Sequence, residues 1–140
     1  MSTEQNKAIA RRFYEEFNNW EKVSSLLAPD YISYVTGASG PLSKDQHAAM
    51  ARLAMAAFPD LKLTIHEQIA EGDKVLTRLT AAGTHKGDFQ GIPATGKTFS
   101  MEGWGLDRIV DGKIVEHRAI DDVMTMMMQL GVIPAPGQAG

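Results

Sequence analysis

Two strand-like runs flank Asp111-Gly112, and this arrangement constrains the chain more than any other, because an Asp-Gly pair admits positive φ at both positions and closes a tight hairpin. The first run spans Lys97 to Val110, and the second ends in two adjacent carboxylates, Asp121 and Asp122. Side chains alternate along a strand, so Val115, His117, Ala119 and Asp121 share one face while Ile114, Glu116, Arg118, Ile120 and Asp122 share the other. Each face therefore terminates in an aspartate. If one side of the sheet is packed, one of them points inward, where a carboxylate is either buried with a partner or functional.

The hairpin lies in the second half of a chain whose hydrophobic period changes midway. Ser2 with Gln5 reads as a capping box, and Ile9, Ala10, Phe13, Tyr14 and Phe17 form the apolar stripe of a helix running to about Asn18. Trp20 to Leu27 predicts a short helix ended by Pro29, followed by a brief strand through Tyr31, Ser33, Tyr34 and Val35. The Gly-rich loop from Gly37 to Pro41 is a candidate pocket rim. Ser43 with Gln46 repeats the capping box and opens a third helix through Ala57, broken at Phe58-Pro59-Asp60.

From Leu61 the period is 2, with Leu61, Leu63, Ile65 and Ile69 alternating against Lys62, Thr64, His66 and Gln68. Glu71 to Lys74 predicts a turn into a return strand, Val75 to Thr84, where Ala81, Ala82 and Gly83 permit curvature or close approach. A loop from His85 to Gly96 precedes the hairpin, and a Met-rich helix from Val123 to Leu130, closed by Gly131, follows it. Helices first and antiparallel hairpins after give an α+β architecture with strands curling around helices. The 140 residues suit a single domain over residues 1–132 with a flexible tail at 133–140.

Composition removes several function classes. The net charge of −3 and the lack of any basic run argue against nucleic acid or an anionic membrane as partner. Without cysteine there is no disulfide framework, thiolate metal site or cysteine nucleophile. No signal-peptide pattern and no long apolar stretch occur, so a cytoplasmic location follows by default. The histidines lack metal-ligand spacing, no Gly-rich loop links a strand to a helix, and Gly-x-Ser-x-Gly is absent. No metal and no cofactor are expected.

Between Lys7 and Leu130, the segments KAIARRFYEEFN, AAFPDLKLTIHEQIAEGDKV, GTHKGDFQGIPATGK and RIVDGKIVEH carry a resemblance to the SnoaL-like polyketide cyclase group of the nuclear transport factor 2-like superfamily. The resemblance implies a cone-shaped α+β barrel with N-terminal helices packed in a strongly curved mixed, mostly antiparallel sheet. It also implies one deep apolar pocket for a small hydrophobic, often polycyclic, ligand, and a homodimer formed through the sheet face. In ring-closing members an aspartate on the final strand is the general acid/base, helped by a histidine on the preceding strand; the aligned positions here hold Ala119 and Gly105. The Asp-Arg-Asp set of the superfamily's epoxide hydrolases aligns with Thr80, Arg78 and Ala119, leaving only the arginine.

Asp121 lies one pleat beyond Ala119 on the same face, ~7 Å along the strand, where burial would lift its pKa toward that of a working acid/base. The other reading of Asp121 or Asp122 is a helix N-cap before Val123; if Asp121 is inward, Asp122 is the natural cap. His117 shares the face of Asp121 and either orients and charge-balances it or is a satisfied core histidine. Trp104 is either a wall for a planar ligand or core, and Arg78 either clamps an enolate from within or sits exposed outside. Tyr14, Tyr31 and Tyr34 are hydroxyl donors from the helical side or amphipathic core. Met124 belongs to a group with Met126, Met127 and Met128 that either seals the pocket or packs the last helix. Asp107 and Arg108 read as a structural ion pair. The function that fits is an acid/base enzyme of cyclase, isomerase or lyase type acting on a small hydrophobic, possibly polycyclic aromatic, carbonyl compound. The alternatives are a non-catalytic binding protein for such a ligand and an epoxide-opening enzyme.

Overall fold

The computed structural model describes residues 2–134 and 137; the rest of the expected tail, 135, 136 and 138–140, lies outside the described residues. Helix α1 (Thr3–Glu15) starts at the expected capping box, the Ser2 hydroxyl accepting from the Gln5 N–H at 3.1 Å while the Gln5 amide oxygen accepts from the Ser2 N–H at 2.9 Å. It ends at Glu15 rather than near Asn18. A short α2 (Trp20–Ser24) gives way early to β1 (Leu27–Val35), which runs through Pro29. Pro29 is tolerated because the pairing of β1 breaks register between Leu27 and Ile32, leaving a stretch where no ladder donor is needed.

After β2 (Leu42–Ser43), α3 (Lys44–Ala57) opens on the second capping box at Ser43. The strands β3 (Lys62–Glu71), β4 (Lys74–Thr84), β5 (Thr98–Val110) and β6 (Lys113–Asp121) follow, then α4 (Val123–Gln129). The Asp111-Gly112 turn forms as expected, with φ of +51° and +79°.

The six strands form one sheet in the order β2-β1-β6-β5-β4-β3. Only the β1–β6 pair is parallel, so the sheet is mixed and mostly antiparallel. Helix α1 touches β3, β4 and β6, which are not all neighbours; one helix reaches them because the sheet curves around it. The core follows this helix, with Phe13 edge-on to Tyr14, Phe17 and Trp20 and in one buried cluster with Val75, Leu79 and Ile114. Gly83 lies under Phe58 and Phe99, at distances that a methyl group would strain.

Alternation on β6 departs from simple counting. A register shift between Arg108 and Ile109 on the partner strand lets Ile114 and His117 both face inward. Beyond the bulge the period holds: His117, Ala119 and Asp121 face the helices, whereas Ile120 is 74% exposed. Among the described residues no helix is long and apolar enough to cross a membrane.

Candidate functional site

Between α1, α3 and the sheet lies a cavity of about 330 Å³. Its walls are apolar, including Phe13, Phe58, Leu61, Leu79, Phe99 and Met126, and its polar groups come from Tyr14, His47, Asp88, Gln90, His117 and Asp121. The inner face of β6 contributes His117, Ala119 and Asp121, and directly opposite them on β5 stand Asp107, Gly105 and Gly103. The two glycines are spatially required: a Cβ at Gly103 would run into the Asp121 carboxylate, and one at Gly105 into the Tyr14 hydroxyl.

Asp121 is fixed at its backbone, where the N–H donates to Thr36 Oγ1 at 3.1 Å. Its carboxylate takes no hydrogen bond from a described residue. Burial raises its pKa, the positive field of His117 opposing this only in part. Asp122 behaves oppositely. It caps α4, its carboxylate accepting from the Thr125 N–H at 3.2 Å and from the Thr125 hydroxyl, and these bonds hold its carboxyl below the usual range. The structure therefore places one aspartate in the cavity and the other on the helix end.

Below Asp121 lies a buried polar group that sequence reasoning missed. Asp107, fully buried, accepts from the Tyr14 hydroxyl at 3.0 Å through one oxygen and pairs with His117 Nδ1 at 2.6 Å through the other. The expected Asp107–Arg108 pair does not form, since neighbouring strand residues face opposite ways; Arg108 instead approaches Asp73 at 3.8 Å. Inward counting from Gly103 and Gly105 would have exposed Asp107 as the next inner residue. Burial raises the Tyr14 pKa first and the Asp107 charge second, so the phenol stays a donor. His117 is thus held by Asp107 and not by Asp121, which stands four residues along the strand, ~13 Å away at the backbone.

His47, on α3, was also missed. Its Nδ1 is 2.9 Å from the Tyr31 hydroxyl, and burial followed by the nearby His117 charge lowers its pKa to about 3, so the ring is neutral.

Four expected substrate contacts lie elsewhere. Arg78 is on the outer face of β4, bonded to Glu67 at 2.9 Å and near Glu102 at 3.5 Å, because the inner positions of that strand are Val75, Thr77, Leu79 and Ala81. Trp104, its cross-strand neighbour, is 40% exposed on the same outer face. Tyr34 lies under the Arg118 guanidinium, 4.1 Å from the ring centre, while Tyr31 and Ser33 take the inner positions of β1. Met124 is exposed, and Met126 is the α4 methionine on the cavity. Thr80, bonded to His66 at 2.6 Å, shares the outer face with Arg78, so these two cannot meet Ala119 across the cavity as an epoxide-opening set would require. Among the described residues no group of three or more His, Asp or Glu side chains converges as a metal site would.

The Gly105 contact yields a direct test. Gly105→Ala is expected to destabilise the protein by about 1–3 kcal/mol through overpacking against Tyr14. Combining it with Tyr14→Phe recovers part of the loss in thermal melts; no recovery would show that the strain lies elsewhere.

The family model for SnoaL-like polyketide cyclase matches residues 8–130. Aklanonic acid methyl ester cyclase DnrD of Streptomyces peucetius is 32% identical over 128 residues, covering 88% of each chain. Nogalonic acid methyl ester cyclase of Streptomyces nogalater is 33% identical over 113 residues, 79% of this chain and 84% of that one. Of solved structures, IdmH from Streptomyces antibioticus superposes with a TM-score of 0.82 at 35% identity, covering 91% of this chain and 99% of that one. AclR from Streptomyces galilaeus gives 0.87 at 29% identity, covering 98% and 87%.

Proposed function

The chain belongs to the SnoaL-like polyketide cyclase family, and on that premise we propose that it closes a ring in a small aromatic polyketide by intramolecular aldol addition, with Asp121 as general base. The observation that carries this reading is the Asp121 carboxylate, which lines an apolar cavity with no hydrogen bond from a described residue and with its pKa raised by burial. Such a base removes a proton from carbon α to a carbonyl with a typical gain of ~10²–10⁴-fold. The apolar walls keep water from competing with the internal nucleophile.

A cavity of about 330 Å³ is near the lower end of the range of roughly 300–1,000 Å³ that holds drug-sized ligands, which suits a compact fused-ring compound. Methyl esters of the kind named for the relatives are the substrate class proposed here. One domain over residues 1–132, a cytoplasmic location and a homodimer are parts of the same proposal. The exposed cross-strand partners Trp104 and Ile120 give the outer sheet face an apolar seam for the dimer.

The test incubates the purified chain with aklanonic acid methyl ester and with nogalonic acid methyl ester and follows each by chromatography with mass detection. An isomeric product of unchanged mass supports the proposal. Tight binding without conversion would replace it with the ligand-binding reading, which the alanine at position 119 otherwise favours. Neither binding nor conversion of either ester would sink it.

A further inference from the structure

We propose that His117, positioned by Asp107, is a second catalytic group that protonates the electrophilic carbonyl oxygen while Asp121 deprotonates the attacking carbon, the two acting across Ala119. This rests on the reading of Asp121 as base. It adds an acid, a residue that positions it, and a constraint on the substrate.

The arrangement begins with a fully buried carboxylate. Asp107 is 0% exposed and His117 is 2% exposed, and a carboxylate is tolerated in such a place only with a positive partner and hydrogen bonds to its remaining oxygen. The 2.6 Å contact to His117 Nδ1 and the 3.0 Å bond from Tyr14 give each carboxylate oxygen a partner. With Nδ1 committed to Asp107, a doubly protonated imidazole presents its second N–H at Nε2. That nitrogen bonds to no described residue, and the ring lines the cavity.

The rings that face His117 are committed elsewhere or apolar. They are Tyr14 from α1, which is committed to Asp107; the Phe13 ring at 4.6 Å; and neutral His47 from α3 at 5.7 Å, itself bonded to Tyr31. Ser33 is the cross-strand partner from β1. A preorganised charged donor in an apolar space acts where negative charge develops in a transition state.

The spacing fits an aldol centre. Hydrogen-bond reach from the base is ~3 Å, the carbon-to-carbon approach ~3–3.5 Å, the carbonyl bond ~1.2 Å, and the reach from its oxygen to the acid ~3 Å again, giving roughly 10 Å from end to end. Residues i and i+4 on a strand lie ~13 Å apart at the backbone, a gap that inclined side chains shorten. Along β6 only the methyl group of Ala119 stands between them, and its partner across the ladder is Gly105, which the Tyr14 hydroxyl covers. Ala119 lines the cavity between the two groups, and the two reacting carbons are placed there.

The chemistry balances. Asp121 takes the α-proton, and the C–H electron pair becomes the enolate. The enolate carbon bonds to the carbonyl carbon, and the C=O π pair moves to oxygen as that oxygen receives the Nε2 proton. Asp121 is left protonated and His117 neutral, and proton transfer between them through solvent resets the site. The product is an isomer of the substrate.

The test separates the two groups by running the methyl ester assay in D₂O, with ring closure and deuterium uptake into recovered substrate read independently. His117→Gln and Asp107→Asn are each expected to slow ring closure by at least ~100-fold while recovered substrate still gains deuterium. Asp121→Asn loses both readouts. Wild-type closure rates in His117→Gln overturn the proposal, whereas deuterium uptake persisting in Asp121→Asn overturns the base assignment on which it rests. A readout free of turnover is nitrogen NMR of histidine-labelled protein with 1,8-dihydroxyanthraquinone as a carbonyl probe. The probe is expected to shift the His117 Nε2 resonance in the wild type and not in Asp107→Asn; an unmoved wild-type resonance overturns the proposal.

Discussion

Asp121→Asn is expected to lower kcat/KM for the ester substrate by about 10²–10⁴-fold while leaving the fold intact. The change is isosteric and the carboxylate takes no hydrogen bond from a described residue, so nothing structural is lost; what disappears is the base. The pH dependence has a definite sign. Because burial raises the Asp121 pKa, activity falls on the acid side along a limb lying above the ordinary carboxylate range. Stability moves differently. A carboxyl whose folded pKa is raised favours the folded state fully below its unfolded pKa, and that contribution is lost as pH rises through the folded value. The Asn variant should therefore gain stability relative to wild type toward neutral pH, and the two melting curves should converge in acid. Near-wild-type turnover by the variant, or a melting difference that grows in acid, would remove Asp121 from the role.

The local devices of the fold are legible in the sequence, and the site is legible only in part. Period-2 counting on β6 puts Asp121 and Asp122 on opposite faces but leaves open which of them is inward; in the structure Asp121 lines the cavity and Asp122 caps α4. Both capping boxes and the Asp-Gly turn are local devices whose donors and acceptors lie within three residues, so the chain spells them out directly. What failed depended on pairing at long range. Arg78 faces outward to Glu67 and Glu102, and neither partner is identifiable until the β3–β4 and β4–β5 registers are known. A bulge interrupts the β3–β4 ladder between Ile65 and Glu67 of β3, and another interrupts the β5–β6 ladder where Glu116 and Ile114 of β6 oppose the adjacent Arg108 and Ile109, and counting along the bulged strand across such a point assigns the wrong face. His47 sits on a helix whose alanines give little amphipathic contrast, so nothing local marks its inward direction. Asp107 was obscured by Arg108, a chemically obvious partner that backbone alternation turns away.

The largest stability effect is expected from Asp107→Ala. Removing the carboxylate leaves the His117 imidazole and the Tyr14 hydroxyl buried without their partner, and breaking a buried pair from one side costs about 3–5 kcal/mol. For a domain of this size that corresponds to a fall in Tm on the order of 10 °C. Asp107→Asn keeps the shape and some hydrogen bonding, so its loss should be smaller. A third variant separates stability from function. Replacing the whole group by apolar residues, Tyr14→Phe with Asp107→Leu and His117→Leu, removes the desolvation cost together with the interactions, and such exchanges are often neutral or stabilising. If that triple variant melts near the wild-type temperature but no longer closes a ring, the buried group persists for its chemistry rather than for the fold. If the triple variant melts as low as Asp107→Ala, the three side chains are a structural brace, and a catalytic reason for their burial is no longer required.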